Sequence, residues 1–228
     1  MVHVESITVH SVQAIVDAFQ KQDILHDTRL TVLMRGEDSD AFEPTAGIFR
    51  PGVQASLERK LFEEFRNLVP AHSNVDVNDE WLVLWLAQHH GVPTRLLDWT
   101  RSPLVATYFA VEKPISQNAA VWAIWGLDVE PQRTSSPFAV TQIMKVSPLA
   151  VTPRVQAQSS VFTVHPDATP IMDTNKSPAT RIQKFVIPAA ERDVFRRQLD
   201  FLGVNRSTIF PDLDGLGMWL RWRSQQIV

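Results

Sequence analysis

Between Gln88 and Glu112 the chain reads QHHGVPTRLLDWTRSPLVATYFAVE, a stretch that sets a histidine pair, an arginine, an aspartate and a serine-capped helix start close together. Asn78 is a good N-cap, Asp79 and Glu80 suit a first helical turn, and Gly91 with Pro93 ends that helix, giving Asp79 to His90. Thr94–Asp98, with Leu96 and Leu97 adjacent, reads as a short buried strand. Ser102 followed by Pro103 is an N-cap and first helical residue, for a helix running to about Glu112. A strand feeding a capped helix start turns free N–H groups and the positive end of the helix dipole outward. That arrangement suits an anionic ligand and makes the stretch a candidate site.

Each polar residue there has a second, structural reading. His89 falls on the apolar stripe of Leu82, Trp85 and Leu86, so it is either a hydrogen-bonded core histidine or an acid–base group, and His90 turns about 100° away. Adjacent helical histidines diverge, and without a third clustered ligand no metal is expected. Arg95 and Asp98 lie three apart on a strand and so point to opposite faces. Trp99 is a core or wall residue, or a ring that stacks on a ligand. Thr100 and Ser102 are capping groups before they are nucleophiles; no Ser-His-Asp order or G-x-S-x-G turn supports a hydrolase. Tyr108, the one tyrosine, is either core or a stacking ring. Arg35, followed by Gly36, closes an apolar strand and either pairs with Asp38 or Asp98 or faces a ligand.

Composition narrows the classes. The chain has 228 residues, enough for a sizeable core, and a formal charge of −3 that disfavours a general nucleic-acid grip. There are no cysteines, which removes thiol nucleophiles, disulfides and Cys-ligated zinc. MVHVESITVH lacks the basic start and apolar run of a secretory signal, and no 18-residue apolar stretch occurs. The expectation is a cytoplasmic protein that does not enter a membrane.

Stepping outward along the chain, Ser11 caps a helix with Val12, Ile15, Val16 and Phe19 on one face. Leu30–Met34 reads as a strand delivering Arg35-Gly36 at its end, followed by an acidic loop from Glu37 to Gly52. Ala55–Val69 is expected to be helical, with Leu57, Leu61, Phe65 and Leu68 as its apolar stripe. Past Glu112 the pattern turns to strands: Ala119–Trp125, Thr141–Val146, Val155–His165 and Ile182–Ile187, with Gln158 on the third. Pro166–Pro178 reads as a loop. Ala189–Leu202 is a helix stopped by Gly203, and Asp212 caps a last helix. Helices gather mainly in the N-terminal half around a small mixed or antiparallel sheet, which gives a single α+β domain. Residues 1–29 form an N-terminal helical segment, 30–217 the main body, and 218–228 the end of the last helix in the same globule.

Several of these segments together resemble the FRG domain family: Met34-Arg35-Gly36, QHHGVPTRLLDWT with SPLVATYFAVE, VQAQSSVFTVH, and STIFPDLDGL. The family takes its name from Phe-Arg-Gly at the first site, where this chain has Met34 in place of the Phe. The resemblance runs from about residue 30 to 217. It also raises the odds that the Phe210-Pro211-Asp212 corner, otherwise a helix start, lines the site.

The order of elements is more distantly similar to ADP-ribosyltransferase-like folds. Those carry Arg-Gly on an early strand, a strand with a Ser/Thr motif leading into a helix, and a later strand with Glu or Gln. The comparison implies Arg35 as the anchor of an NAD diphosphate, with Ser102 and its helix start adding donors. Tyr108 would stack on nicotinamide, and Gln158 would stand where a glutamate stabilises the oxocarbenium-like state. Gln158 carries no negative charge, so a separate carboxylate such as Glu112 would have to supply it. The implied function is a nucleotide-binding effector, NAD-consuming and ADP-ribosyltransferase-like, serving as a bacterial or phage toxin or defence component with NAD as substrate. Two rivals stand beside it: a nucleic-acid-directed nuclease toxin using His89, Arg95 and Asp98, and a non-catalytic module binding a nucleotide or a partner protein.

Overall fold

A computed structural model describes residues 4–21, 32–127, 130–132, 134–148, 152–169, 171 and 181–226. In chain order the elements are β1 (Ser6–Thr8), α1 (Val12–Lys21), β2 (Val32–Glu37), α2 (Glu58–Leu68), α3 (Glu80–His89), β3 (Leu96–Thr100) and α4 (Pro103–Val111). There follow β4 (Ala119–Trp125), β5 (Met144–Val146), α5 (Pro153–Ala157), β6 (Ser160–Val164), β7 (Arg181–Ile187), α6 (Arg192–Phe201), α7 (Arg206–Ile209) and α8 (Leu213–Ser224). The strands form one seven-stranded sheet in the order β1-β7-β4-β2-β3-β6-β5. Only β1 against β7 is parallel; the other neighbours are antiparallel. The expected α+β class holds. Helices are not confined to the N-terminal half, since α6, α7 and α8 follow the last strand.

The apolar alternation of β4 explains the layers. Val121, Ala123 and Trp125 point with Met34, Phe185 and Ile187 to one face, where they meet Ile15 and Phe19 of α1, Ala106 and Ala110 of α4, and Phe195 and Leu199 of α6. Ala120, Trp122 and Ile124 point the other way, with Leu33, Leu97, Trp99 and Val161. That second face is covered by Ala46, Ile143 and Ile171 from connecting segments. A third cluster sets Phe62 of α2 and Trp81, Leu84 and Trp85 of α3 against Leu96, Phe162 and Val164.

Local signals account for most helix starts. Ser11 Oγ accepts from the Ala14 N–H, Ser102 Oγ from Val105, and Asp212 from Gly215. Asp79, not Asn78, caps α3 through the Leu82 N–H. Arg35 and Gly36 lie inside β2, not past its end; the start of the expected strand, Leu30 and Thr31, falls outside the described residues, as does much of Pro166–Pro178 and of the N-terminal segment. The strand expected at Thr94–Asp98 is displaced to Leu96–Thr100.

Two larger corrections concern α2 and Val155–His165. In α2 the buried side chains are Glu58 and Phe62, while Leu57 and Leu68 are exposed. Leu61 and Phe65 of the expected stripe are part-buried, Phe65 against the core, but a carboxylate shares the core-facing side and the stripe's two ends face solvent. Similarly, Val155–Ala157 belongs to a short helix capped by Thr152, Ser159 adopts a φ of 47°, and only Ser160–Val164 is strand.

Candidate functional site

β2 is paired with β4 along its full length, from Val32 to Glu37, and β3 with β6 from Leu96 to Thr100. Against each other, β2 and β3 share a single register pair, Met34 with Thr100. Beyond that pair the two strands part, beside Arg35, Glu37 and Asp98. A cavity of about 990 Å³ opens there, at the upper end of the range for small-molecule sites.

Arg35 bridges the opening. Its Nη1 donates to the Asp98 backbone carbonyl at 2.7 Å, and its Nε donates to the Glu37 carboxylate. Both side chains of this pair are largely buried. Neither of the expected carboxylate partners, Asp38 or Asp98, is used; Asp98 contributes its main chain. Its own carboxylate is held from the other side. Thr94 Oγ1 donates to Gln88 Oε1 at 2.7 Å, and Gln88 Nε2 donates to Asp98 Oδ2 at 2.6 Å. Asp98 is exposed towards the cavity with its orientation set by this relay.

His89 also lines the cavity, its ring stacked on Trp85 at 5.3 Å and edge-on to His90 at 5.2 Å. Burial first, then the positive fields of Arg154 and His90, hold its pKa below the usual imidazole range, while Asp98 pulls weakly upward. The ring is therefore neutral near pH 7 and available as a base or acceptor.

Of the residues singled out from the sequence, Arg35, Gly36, His89, Asp98, Trp99, Thr100 and Gln158 line this one cavity. Their arrangement differs from the expected one in detail. Gln158 sits at the C-cap of α5 and not on a strand; its amide donates to the Ile209 carbonyl at 3.3 Å, and its own carbonyl accepts from Thr100 Oγ1 at 2.7 Å. Trp99 is buried, its indole N–H donating to Thr163 Oγ1, which in turn meets His165 Nε2 at 2.8 Å. Gly36 is required by packing: a Cβ there would stand 2.1 Å from the Ala106 carbonyl oxygen and 2.5 Å from the Ala110 nitrogen.

Three residues fall elsewhere. Arg95 is committed to Glu58, with Nη2 to Oε2 at 2.7 Å and Nε and its own N–H on the same carboxylate, and Phe138 packs against its guanidinium. Ser102 is spent on capping α4. Tyr108 is 2% exposed in the helical core, where burial and nearby Glu112 push its pKa up, so it is no stacking ring for a ligand in the cleft.

The cavity also takes in residues that sequence reasoning did not place there. Glu37 stands two positions after Arg35, the spacing that puts strand residues on one face. Arg154 follows the Thr152-Pro153 cap signal, which has the same form as Ser102-Pro103. Phe42, Glu43, Thr45 and Arg50 come from the connection after β2, and no local signal marks them. Glu112, weighed as a substitute for Gln158, lines the cavity with its carboxylate paired to Arg206. No group of three or more His, Asp or Glu among the described residues could hold a metal ion.

The class defined by this architecture is an α+β domain whose central antiparallel sheet is split by a polar cleft. Residues 31–119 match the family model of the FRG domain. The matched segment supplies Arg35, Glu37, His89, Asp98 and Glu112, while Arg154 and Gln158 come from outside it. No curated protein and no solved structure matches the chain. Among the described residues no helix is long and apolar enough to cross a membrane.

Proposed function

We propose that the cleft between β2 and β3 binds a nucleotide-like ligand and that this ligand is NAD, consumed by an ADP-ribosyltransferase-like reaction. The observation that carries the reading is the split seam itself, with Arg35, Asp98, His89, Glu112 and Gln158 brought onto one cavity from separate elements. The lining has both signs of charge, Arg35, Arg50, Lys113 and Arg154 against Glu37, Asp38, Glu43, Asp98 and Glu112. NAD has both signs as well, a cationic nicotinamide and an anionic diphosphate.

In that reaction the C1′–N bond breaks, nicotinamide leaves as a neutral molecule with the bonding pair, and the ribose carbon becomes electron-poor. A nucleophile, water or a macromolecular acceptor, then bonds to C1′ and gives up its proton. In this reading Glu112 provides the negative charge that Gln158 lacks, and neutral His89 takes the proton. As a toxin or defence effector the protein would deplete NAD or modify a macromolecule; that setting is the one the family resemblance implies. The nuclease alternative is weaker, because Arg95, one of its three residues, is tied to Glu58 away from the cleft.

The test is calorimetric titration with NAD, followed by assay of released nicotinamide. Binding with release supports the reading. Binding without release leaves a nucleotide-binding module, and no binding discards NAD.

A further inference from the structure

We infer that the anion-binding group of the cleft is Arg154, and that it takes a phosphate or diphosphate. The inference deepens the nucleotide reading above and rests on it for the identity of the ligand that carries the phosphate.

Four cations among the described residues line the cleft, and their engagements differ. Arg35 is held by Glu37 and by the Asp98 carbonyl, which occupies two of its donor positions and most of its charge. Lys113 is paired with Asp38 at 2.7 Å. Arg50 is exposed on the rim and donates from Nε to the Thr45 carbonyl. Arg154 is half-buried on α5 and has no carboxylate or carbonyl partner among the described residues. Its guanidinium instead lies over the Phe210 ring, 4.7 Å from the centroid, a contact that holds the group near the ring while leaving its N–H donors free of acceptors among the described residues. A planar fork held in place without a counter-ion is suited to phosphate oxygens.

Phe210 also carries Arg206, at 3.8 Å on its ring, and Arg206 holds Glu112. One aromatic ring therefore places an uncommitted cation and, through Arg206, an acid on the same cavity. Nearby, His89 feels Arg154 as a repulsive charge, along with His90 from its own helix and Asp98 from β3 as the opposing one. An anion that neutralises Arg154 removes that repulsion, so occupancy of the subsite is expected to raise the affinity of His89 for a proton.

The probe is inorganic pyrophosphate, titrated calorimetrically into the wild-type protein and into Arg154→Ala, Arg154→Lys and Arg50→Ala, with the His89 ring followed by NMR. The Phe210 ring is the partner recorded for the Arg154 side chain, with no hydrogen bond or ion pair among the described residues, and near-ultraviolet circular dichroism checks that the variants are folded. Wild type is expected to bind, Arg154→Ala to bind at least about tenfold more weakly, Arg154→Lys to fall between, and Arg50→Ala, at another cation of the same cleft, to lose less than Arg154→Ala. Pyrophosphate should raise the His89 pKa in wild type, and the free Arg154→Ala protein should start with it already raised. Failure of wild type to bind, undiminished binding by Arg154→Ala, or a loss confined to Arg50→Ala overturns the inference. Pyrophosphate binding through Arg154 without binding of NAD would retain it and sink the NAD reading; nicotinamide release without pyrophosphate binding would do the reverse.

Discussion

Arg35 donates to the backbone carbonyl of Asp98 across 2.7 Å, in the gap where β2 and β3 stop pairing. A side chain thus replaces the ladder hydrogen bond that the parted strands cannot make. The same guanidinium neutralises Glu37, which is 9% exposed. Arg35 is therefore a structural clamp as well as a lining residue of the cleft.

Arg35→Ala is accordingly expected to cost stability in addition to any binding, by about 2–4 kcal/mol, because it leaves a buried carboxylate without its partner. Removing the carboxylate charge as well, in Arg35→Ala with Glu37→Gln, should recover part of that loss. Urea denaturation of the four members of the cycle measures the coupling. Additive single-mutant effects would show that the pair contributes nothing.

Gly36 gives a sharper case. Its missing Cβ lets α4 lie directly on β2, and any added methyl meets helix backbone that has no flexible end to yield. Gly36→Ala should destabilise by more than about 3 kcal/mol or prevent folding, as overpacking against backbone does. A variant that melts within a degree or two of wild type would mean that α4 is free to move off the sheet.

How much of this was readable beforehand follows from the range of each interaction. The caps at Ser11, Ser102 and Asp212 and the whole of β4 were legible because they depend on residues a few positions apart. Arg95 was not, since its partner Glu58 is 37 positions away and falls outside the apolar stripe expected of its helix. Before Gln158 two local signals conflict: Thr152-Pro153 marks a helix start, while the strand composition of Ser160–Val164 continues backwards through Val155–Ala157. Convergence of Arg35, His89 and Asp98 on one cavity followed from the order of elements, whereas the wall from Phe42 to Arg50 depends on how a loop folds back, which no local pattern encodes.

Acid sensitivity is expected from His165. Burial, then the positive charge of Arg35, lowers its pKa from 6.5 to about 4. The unfolded chain binds the proton more readily than the folded one, so stability rises with pH across this interval and is lost as pH falls from 6.5 towards 4. The full difference is worth about 3 kcal/mol. His89 acts in the same direction. Urea melts of wild type and His165→Gln between pH 7.5 and 4.5 should show a shallower slope in the variant. Identical slopes would mean that burial beside Arg35 does not hold the His165 ring neutral.

Glu112 separates catalysis from binding. It lines the cleft from the end of α4, and Arg206 fixes its direction. If this carboxylate stabilises the electron-poor ribose, its contribution arises mainly in the transition state, so Glu112→Gln should slow nicotinamide release by about 100-fold or more while leaving NAD affinity nearly unchanged. Gln158→Ala, which removes an amide braced on the Ile209 carbonyl, should have a much smaller effect on the rate. Parallel measurement of NAD binding and nicotinamide release for both variants distinguishes the two residues. A rate lost in Gln158→Ala and retained in Glu112→Gln would return the role to the amide, and a loss of affinity matching the loss of rate in Glu112→Gln would make Glu112 a ligand-binding group instead.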